Sequence, residues 1–231
     1  MNLHGKFIVF DGPDGSGKGS QLDRLAEWIE GQGVAITRAF DPGGTEVGDR
    51  IRHVLLDYDL SKVDPRCETL LFMASRAQLI AEIVRPALAA GHVVLCDRFI
   101  SATCAYQVAA GVARDDVLTL GRLAVGDTWP DLTLVLDVPP EVGFERTGRT
   151  RHNVRKRGTG KRGTVGGQFE MFNGATPDAI ERRSPDFHRR VRALFRELPS
   201  VYPVPVVVVD AARGPDEVFA DVREAVTRAF S

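Results

Sequence analysis

Short apolar runs along the chain alternate with longer segments in which apolar residues recur every three or four positions. The short runs are nearly continuously apolar and rich in β-branched residues, which is typical of parallel strands covered on both faces. The sequence predicts such strands at Lys6–Asp11, Val34–Phe40, His92–Asp97, Leu132–Val138 and Val204–Asp210.

The longer segments have the periodicity of amphipathic helices. In the first of them, Leu22, Leu25 and Ile29 lie on one predicted helix face. Helices are predicted at Lys18–Gln32, Glu46–Asp57, Arg66–Ala90, Ser101–Ala110, Asp115–Gly126, Asp178–Leu198 and Pro215–Phe230. The regular alternation of strand and helix predicts a doubly wound α/β fold with a five-stranded parallel sheet.

One stretch, residues 148–176, interrupts this alternation. It is rich in glycine, has no acidic residue between Arg149 and Phe169, and carries seven basic residues, Arg149, Arg151, Arg155, Lys156, Arg157, Lys161 and Arg162. We interpret it as a basic lid inserted into a single domain that spans residues 1–231. A solvated loop and a nucleic-acid-binding patch are the alternatives, and the lack of aromatic residues within the basic run argues against the patch.

Composition limits the classes of function. The chain has 231 residues, 43% of them hydrophobic, and a formal net charge of -1, which favours neither nucleic acid nor an anionic membrane as a partner. The N-terminus lacks the plan of a signal peptide, so we expect a soluble, cytoplasmic protein. The three cysteines form no C-x-x-C pair and are expected to be buried thiols, and the five scattered histidines suggest no metal site.

A glycine-rich loop connects the first strand to the first helix. Residues 12–18 read GPDGSGK, the G-x-x-x-x-G-K pattern of a P-loop in the strand–loop–helix context that it requires. Its backbone N–H groups and the helix N-terminus would bind phosphate oxygens, and the lysine would add a mobile cation. The sequence therefore predicts a P-loop NTPase-type fold and an ATP site formed by Gly12, Gly15, Ser16, Gly17, Lys18, Gly19 and Ser20.

The residue after the lysine departs from this pattern. A Ser or Thr hydroxyl at that position ligates Mg²⁺ in P-loop proteins, whereas Gly19 has no side chain. Ser20 is one helical step away, about 100° around the axis, so its hydroxyl points away from the position that this ligand needs. We therefore expect Mg²⁺ to depend on the carboxylates of Asp97 and Asp14, directly or through water.

At this point the chain resembles the thymidylate kinase family. The resemblance rests on motifs that occur in order from Phe7 to about Asp210, and these are the first loop, DPGGTEVG at 41–48 with Ile51-Arg52, LLFMASR at 70–76, DRF at 97–99 with AYQ at 105–107, PDLT at 130–133, DVPP at 137–140, and Glu181 with FHRRVR at 187–192. The departures are Gly19, Phe99 in place of a tyrosine, two extra residues before Asp41 and a longer lid.

The resemblance implies a role for each site residue. Phe72 would stack on the acceptor base, and Arg76, which lies on the same helix face, would donate to thymine O4 but not to the amino group of cytosine. Arg98 would bridge the acceptor phosphate and the transferred group. Thr103, Tyr106 and Gln107 would contact the base and sugar, Arg52 and Asp14 the acceptor phosphate and sugar, Arg149 or Arg151 the ATP phosphates, and Ala211 the adenine.

Each assignment has a plainer structural alternative. From the residues alone, Phe72 and Tyr106 could be ordinary core, and Arg76 and Arg98 could be surface charges. The resemblance instead implies a homodimeric kinase that uses ATP and Mg²⁺ to phosphorylate dTMP, with no nucleic acid or membrane as a partner. A kinase for another pyrimidine or modified deoxynucleoside monophosphate, or a nucleotide-binding protein that has lost catalysis, remains open because of Gly19 and the lid.

Overall fold

The computed structural model describes residues 1–57, 62–148, 180 and 183–231. Of the predicted lid, only Gly148 falls within these ranges. The predicted lid arginines Arg149 and Arg151 lie outside the described residues, as does Glu181 of the resemblance.

The centre of the fold is a parallel sheet of five strands. They are β1 Phe7–Asp11, β2 Ile36–Phe40, β3 Val93–Asp97, β4 Leu132–Asp137 and β5 Val206–Asp210, in the spatial order β2-β3-β1-β4-β5. In the central strand, Phe10 lies opposite Asp97 on one side and Leu134 on the other. The carboxyl ends of β1, β2 and β3 therefore meet at one edge of the sheet, and the prediction of a five-stranded parallel sheet is confirmed.

Helices cover both faces of this sheet. Their bounds are α1 Lys18–Glu30, α2 Glu46–Asp57, α3 Pro65–Leu79, α4 Arg85–Ala89, α5 Ile100–Ala109, α6 Arg114–Val125, α7 Pro140–Arg146, α8 Pro185–Val201 and α9 Pro215–Phe230. On one face, the apolar sides of α1 and α9 pack on Ile8 and Phe10 of β1. On the other face, residues of α3, α5, α6 and α8 pack around Phe7 and Val9, because alternate residues of a strand point to opposite faces.

The long helix predicted at Arg66–Ala90 is divided in the structure. A π-helical segment, Ile80–Val84, separates α3 from α4. Pro86 is the second residue of α4, and a proline lacks the N–H that an α-helix needs and clashes with the carbonyl group four residues earlier. The wider π turn accommodates this proline without ending the helical path.

The helix predicted at Asp178–Leu198 begins later than expected. α8 starts at Pro185, and the side chain of Ser184 caps it by accepting a hydrogen bond from the Phe187 N–H. A serine cap followed by proline at the first helical position is a strong start signal, which the apolar periodicity alone did not reveal.

The structure differs from the sequence analysis at two smaller points. The short helix α7 was not predicted, because its seven residues are too few for a clear apolar period. The expectation of three buried thiols is wrong for Cys67, which is exposed, and holds for Cys96 and Cys104.

In the described ranges, every helix is too short or too polar to cross a lipid bilayer.

Candidate active site

A cleft of about 580 Å³ opens at the carboxyl ends of β1, β2 and β3. Ligands bind at this edge of open α/β sheets because the strands end there and loops diverge. The cleft brings together most of the residues predicted from the sequence, namely Asp14, Gly15, Gly17, Lys18, Gly19, Ser20, Arg52, Phe72, Arg76, Asp97, Arg98, Thr103, Tyr106 and Gln107. Gly12, Ser16 and Ala211 are buried beside it and do not line it.

The P-loop is held against neighbouring backbone so closely that side chains are excluded. A Cβ atom at Gly12 would collide with the Leu136 carbonyl oxygen, and one at Gly15 would collide with the Gly143 carbonyl group. Gly143 is equally constrained, since a Cβ there would collide with the carbonyl oxygen of Asp14. These close backbone contacts restrict the loop at Gly12 and Gly15, and its backbone N–H groups precede the N-terminus of α1, where anions bind favourably.

Lys18 is folded over its own loop. Its ammonium group donates to the carbonyl oxygens of Gly12 and Pro13, at 3.1 Å each. Burial, together with repulsion from the Arg98 guanidinium, lowers the pKa of Lys18 below its usual value, while Asp97, Asp14 and Asp11 act in the opposite direction. A phosphate oxygen would give this ammonium group a stronger partner than neutral carbonyl groups do.

Arg98 has the left-handed backbone conformation, with φ of 69°. A non-glycine residue adopts this conformation at a cost, and such residues concentrate at functional sites. Its guanidinium lies 2.5 Å from Oδ1 of Asp14 and 3.9 Å from Oδ1 of Asp11, and 5.4 Å from the ring centre of Tyr106. Burial acts to lower the pKa of Arg98, but Tyr106 and these carboxylates raise it above its usual value, so the group stays charged.

Asp11, at the end of β1, is a buried carboxylate that the sequence analysis did not single out. Its Oδ1 accepts from the Gly12 N–H at 3.0 Å, and its Oδ2 accepts from the Ser101 hydroxyl at 2.6 Å. Burial raises its pKa above the usual value, although Arg98 opposes the shift. Asp11 thus connects the first turn of the P-loop to α5.

Arg76 is a buried cation and not a surface charge. It is 1% exposed, and both its Nε and its Nη2 lie 2.5 Å from Oδ2 of Asp41. Its Nη2 also donates to the Thr103 hydroxyl at 3.2 Å. Breaking such a buried pair by removing one partner costs about 3–5 kcal/mol, so Asp41 fixes Arg76 where it faces the cleft.

Asp41 was not named as a site residue from the sequence. Its position in the sequence indicated a site residue, because Asp41 directly follows a predicted strand. A carboxylate there lies at the same edge of the sheet as Asp97, where ligands bind in open α/β folds. Its own pKa is raised by burial, against the attraction of Arg76. Beside it, Arg52 donates to the Pro42 carbonyl oxygen at 2.7 Å and lies 5.5 Å from the Phe40 ring centre.

Phe72 and Tyr106 are both core residues and cleft residues. They are 8% and 5% exposed, and each presents part of its ring to the cleft. Tyr106 packs edge-on against Phe195 of α8, with ring centres 5.9 Å apart. The alternatives that were weighed from the sequence are therefore not exclusive, since the same rings support the core and line the site.

Arg146, at the end of α7, joins two loops of the site. It donates to the Ala211 and Ala212 carbonyl oxygens at 2.8 and 3.2 Å and approaches that of Gly15 at 3.5 Å. The turn after β5, which contains the predicted Ala211, is thereby held beside the P-loop. No sequence signal indicated Arg146, because its hydrogen-bond partners are backbone carbonyl groups, which have no residue-specific pattern, and they lie far away in the sequence.

Comparison with known proteins gives a consistent result. A family model described as thymidylate kinase matches residues 10–163. The chain belongs to the thymidylate kinase family. A thymidylate kinase of Halalkalibacterium halodurans is 35% identical over 98% of both chains, and one of Pelobacter propionicus is 38% identical over 93% of this chain and 90% of its own. One of Nitratidesulfovibrio vulgaris is 40% identical over 97% of both chains.

Membership of the thymidylate kinase family makes a divalent cation the expected companion of the nucleotide. Among the described residues, no cluster of three or more histidine, cysteine, aspartate or glutamate side chains could hold a metal ion by itself. Asp97 lines the cleft, and its Oδ1 is buried without a hydrogen-bond partner in the described part of the chain. One carboxylate together with substrate phosphates and water is a common set of Mg²⁺ ligands, so the residues present fit this ion.

The raised pKa of Asp11 predicts a pH-dependent effect of Asp11→Asn. The unfolded chain has the ordinary value of 3.8 and the folded chain a higher one. As pH rises from 3.8 through the folded value, the wild type therefore loses stability that the variant keeps. We expect the free energy of unfolding of the variant minus that of the wild type to increase over this window and then level off, measured by urea denaturation at several pH values.

Asp216→Asn is the control for the loss of one carboxylate, since the Asp216 side chain is 92% exposed. If the difference in free energy of unfolding between Asp11→Asn and the wild type stayed constant from below pH 3.8 to neutrality, Asp11 would not have a raised pKa in the folded protein.

Proposed function

We propose that this protein is an ATP-dependent dTMP kinase, which transfers the γ-phosphoryl group of ATP to dTMP and yields dTDP and ADP. One observation carries the proposal. In a member of the thymidylate kinase family, the P-loop, Arg98 and the Phe72–Arg76 pair open into a single cleft. One donor and one acceptor nucleotide can therefore contact all three at once, namely the P-loop with the donor phosphates, Arg98 with the transferred group, and Phe72 and Arg76 with the acceptor base.

The donor would bind at the P-loop. Backbone N–H groups of residues 12–20 and the N-terminus of α1 favour negative charge, and Lys18 would exchange its two carbonyl partners for phosphate oxygens. The adenine would lie at the turn containing Ala211, which Arg146 holds beside the loop.

The acceptor would bind on the α3 and α5 side. Phe72 offers a ring for stacking on the base, and Arg76 offers N–H groups that suit the O4 carbonyl group of thymine and not the amino group of cytosine. Thr103 and Gln107 would contact the base, and Tyr106 would lie beneath the sugar, where its bulk disfavours a 2′-hydroxyl group. Arg52 and Asp14 would contact the acceptor phosphate and sugar.

The transfer itself needs positioning and charge neutralisation, not a general base. The acceptor phosphate has a second pKa of about 6 and is mostly a dianion at neutral pH. One of its oxygens attacks the γ-phosphorus, a new P–O bond forms, and the bond to the β,γ-bridging oxygen breaks as ADP leaves. Lys18 and Arg98 would neutralise the shared charge, together with Arg149 or Arg151, which lie outside the described residues.

Mg²⁺ would be held by ATP phosphates and by Asp97 through water, with Asp14 as a weaker candidate because one of its oxygens is paired with Arg98. When bound, the ion supplies charge neutralisation at the β- and γ-phosphates. Gly19 provides no hydroxyl group at the usual position, so more of the coordination falls to water and Asp97.

An assay of ADP release with ATP, Mg²⁺ and dTMP, dUMP, UMP, dCMP or dAMP tests the acceptor. We expect a clear preference for dTMP. Arg98→Ala should lower kcat by about 10²–10³-fold, as removal of a group that stabilises transition-state charge does. Arg76→Lys keeps the charge opposite Asp41 but loses the planar fork, and should reduce the preference for dTMP over dCMP by about tenfold.

Arg228→Ala is the matched control, because the Arg228 side chain is 79% exposed on α9, and it should leave both quantities unchanged. Turnover of another acceptor in preference to dTMP would favour a kinase for that nucleotide. ATP binding without turnover of any acceptor would instead indicate a nucleotide-binding protein that has lost catalysis.

The Mg²⁺ assignment predicts opposite effects of two substitutions. Asp97→Asn should raise the Mg²⁺ concentration that gives half-maximal activity, and Gly19→Ser should lower it by restoring a hydroxyl ligand. Titration of activity with Mg²⁺ at fixed ATP measures both. Asp216→Asn is the control and should change little, since the Asp216 side chain is 92% exposed on α9, and an unchanged Mg²⁺ requirement in Asp97→Asn would refute the role of Asp97.

We further propose that two copies associate through α2, α3 and α6. Four large apolar residues on these adjacent helices are at least 48% exposed, Val47, Val54, Leu70 and Leu123, and the last is 83% exposed. Patches of this kind on otherwise polar surfaces mark association sites. A second copy is the occupant that membership of the family favours.

Light scattering should therefore give twice the mass of the 25.3 kDa chain. The double variant Leu70→Glu/Leu123→Glu should give a monomer, because it introduces two unpaired charges into the interface, whereas Arg228→Glu on α9 should remain a dimer. A wild type that is monomeric at micromolar concentration would rule out this interface.

A further inference from the structure

Glu68 is a buried carboxylate with both oxygens occupied. It lies in the first turn of α3 and has no exposed surface. Its Oε1 accepts from Nε2 of Gln107 at 2.9 Å, and its Oε2 accepts from Nη2 of Arg183 at 2.7 Å. A carboxylate is buried at such a cost that it is normally found fully paired, as this one is.

The chemistry of the carboxylate fixes the orientation of the Gln107 amide. An ionised carboxylate can only accept hydrogen bonds, and an amide group has a donating NH₂ on one side and an accepting oxygen on the other. The NH₂ of Gln107 is therefore committed to Glu68. The amide oxygen is the group that is left for the cleft, which Gln107 lines.

Arg183 prevents Glu68 from changing its role. It precedes α8 and lies 115 positions along the chain from Glu68, with its guanidinium 4.7 Å from the ring centre of Phe187. A guanidinium only donates, so the oxygen of Glu68 that it contacts must remain an acceptor. Three elements, α3, α5 and the segment before α8, thus meet at one carboxylate beside the site.

We propose that Glu68 is a positioning residue that selects the acceptor base through Gln107, with Arg183 holding Glu68 in place. The inference rests on the proposed function. An amide oxygen in the cleft can accept the N3–H of thymine or uracil, whereas it meets the unprotonated N3 of cytosine with repulsion. Arg76 would read position 4 of the base, and the Glu68–Gln107 pair would read position 3.

Glu68→Gln provides a test in which the amide should reverse. Arg183 can only donate, so it retains the carbonyl oxygen of the new amide and leaves its NH₂ facing Gln107. Gln107 must then accept with its oxygen and turn its own NH₂ toward the cleft, where it suits the N3 atom of cytosine. We expect the ratio of kcat/KM for dUMP to that for dCMP to fall about tenfold or more, because dCMP improves relative to dUMP.

dUMP and dCMP suit this test because they differ only at positions 3 and 4 of the ring. Glu68→Asp keeps an acceptor at this place and should keep the ratio even if both rates decline. Glu82→Gln is the matched control, since Glu82 forms an exposed hydrogen bond with Gln78, and it should change neither rate nor ratio.

A folded Glu68→Gln protein with the wild-type ratio would overturn the proposal. If this variant does not fold, the double variant Glu68→Met/Arg183→Met removes the buried ion pair together and leaves the Gln107 amide free to turn, and its ratio should also fall. Retention of the wild-type ratio in the double variant, or failure of both proteins to fold, would assign Glu68 to folding alone and overturn the proposal.

The proposed function fails by a different result, which is lack of dTMP turnover in the wild type. In that case, the ratio of the dUMP and dCMP dissociation constants, measured by calorimetry in the same variants, replaces the ratio of rates and tests Glu68 without catalysis.

Discussion

Positive charge at the carboxyl edge of the sheet has to be balanced by carboxylates before any phosphate is bound. Three cations, Lys18, Arg76 and Arg98, are buried or largely buried there, and an uncompensated buried charge would be unaffordable in a protein of ordinary stability. The strand ends provide the balance. Asp11 ends β1, Asp41 follows β2 and Asp97 ends β3, and Asp14 of the P-loop pairs with Arg98. The strand ends and the loop after β1 thus supply the acidic side chains beside these cations.

The two halves of the site use this balance differently. Arg76 has a permanent partner in Asp41, and a fixed pair can present a rigid pattern of donors to a base. In the described part of the chain, the hydrogen-bond partners of the Lys18 ammonium group are two neutral carbonyl oxygens, which a phosphate oxygen can replace with a net gain. The permanent partner of Arg76 therefore serves discrimination among bases, and the exchangeable partners of Lys18 serve phosphate binding.

Features of the fold and the site were predictable from the sequence where they depend on residues close together in the chain. The P-loop, the five strands and the pairing of Phe72 with Arg76 on one helix face are local patterns, and they were predicted with small errors at their ends. Glu68 and Arg146 were missed because their partners lie 39 to 131 positions away, and no period or motif encodes such contacts, whereas Asp41 could have been named from its place directly after a strand. The division of α3 from α4 was missed for another reason, since the tolerance of Pro86 through a π-helical segment depends on packing.

The contact between Gly15 and Gly143 has a consequence for protein engineering. Two backbone segments cross so closely that neither position can carry a side chain, and a substitution at one cannot be relieved by a smaller residue at the other, because both are already the smallest. Glycine is therefore required at both positions together. Libraries that aim to alter nucleotide preference gain variety from α3 and α5, where side chains contact the cleft, whereas a side chain introduced at this crossing would force the two backbone segments apart and displace the phosphate loop.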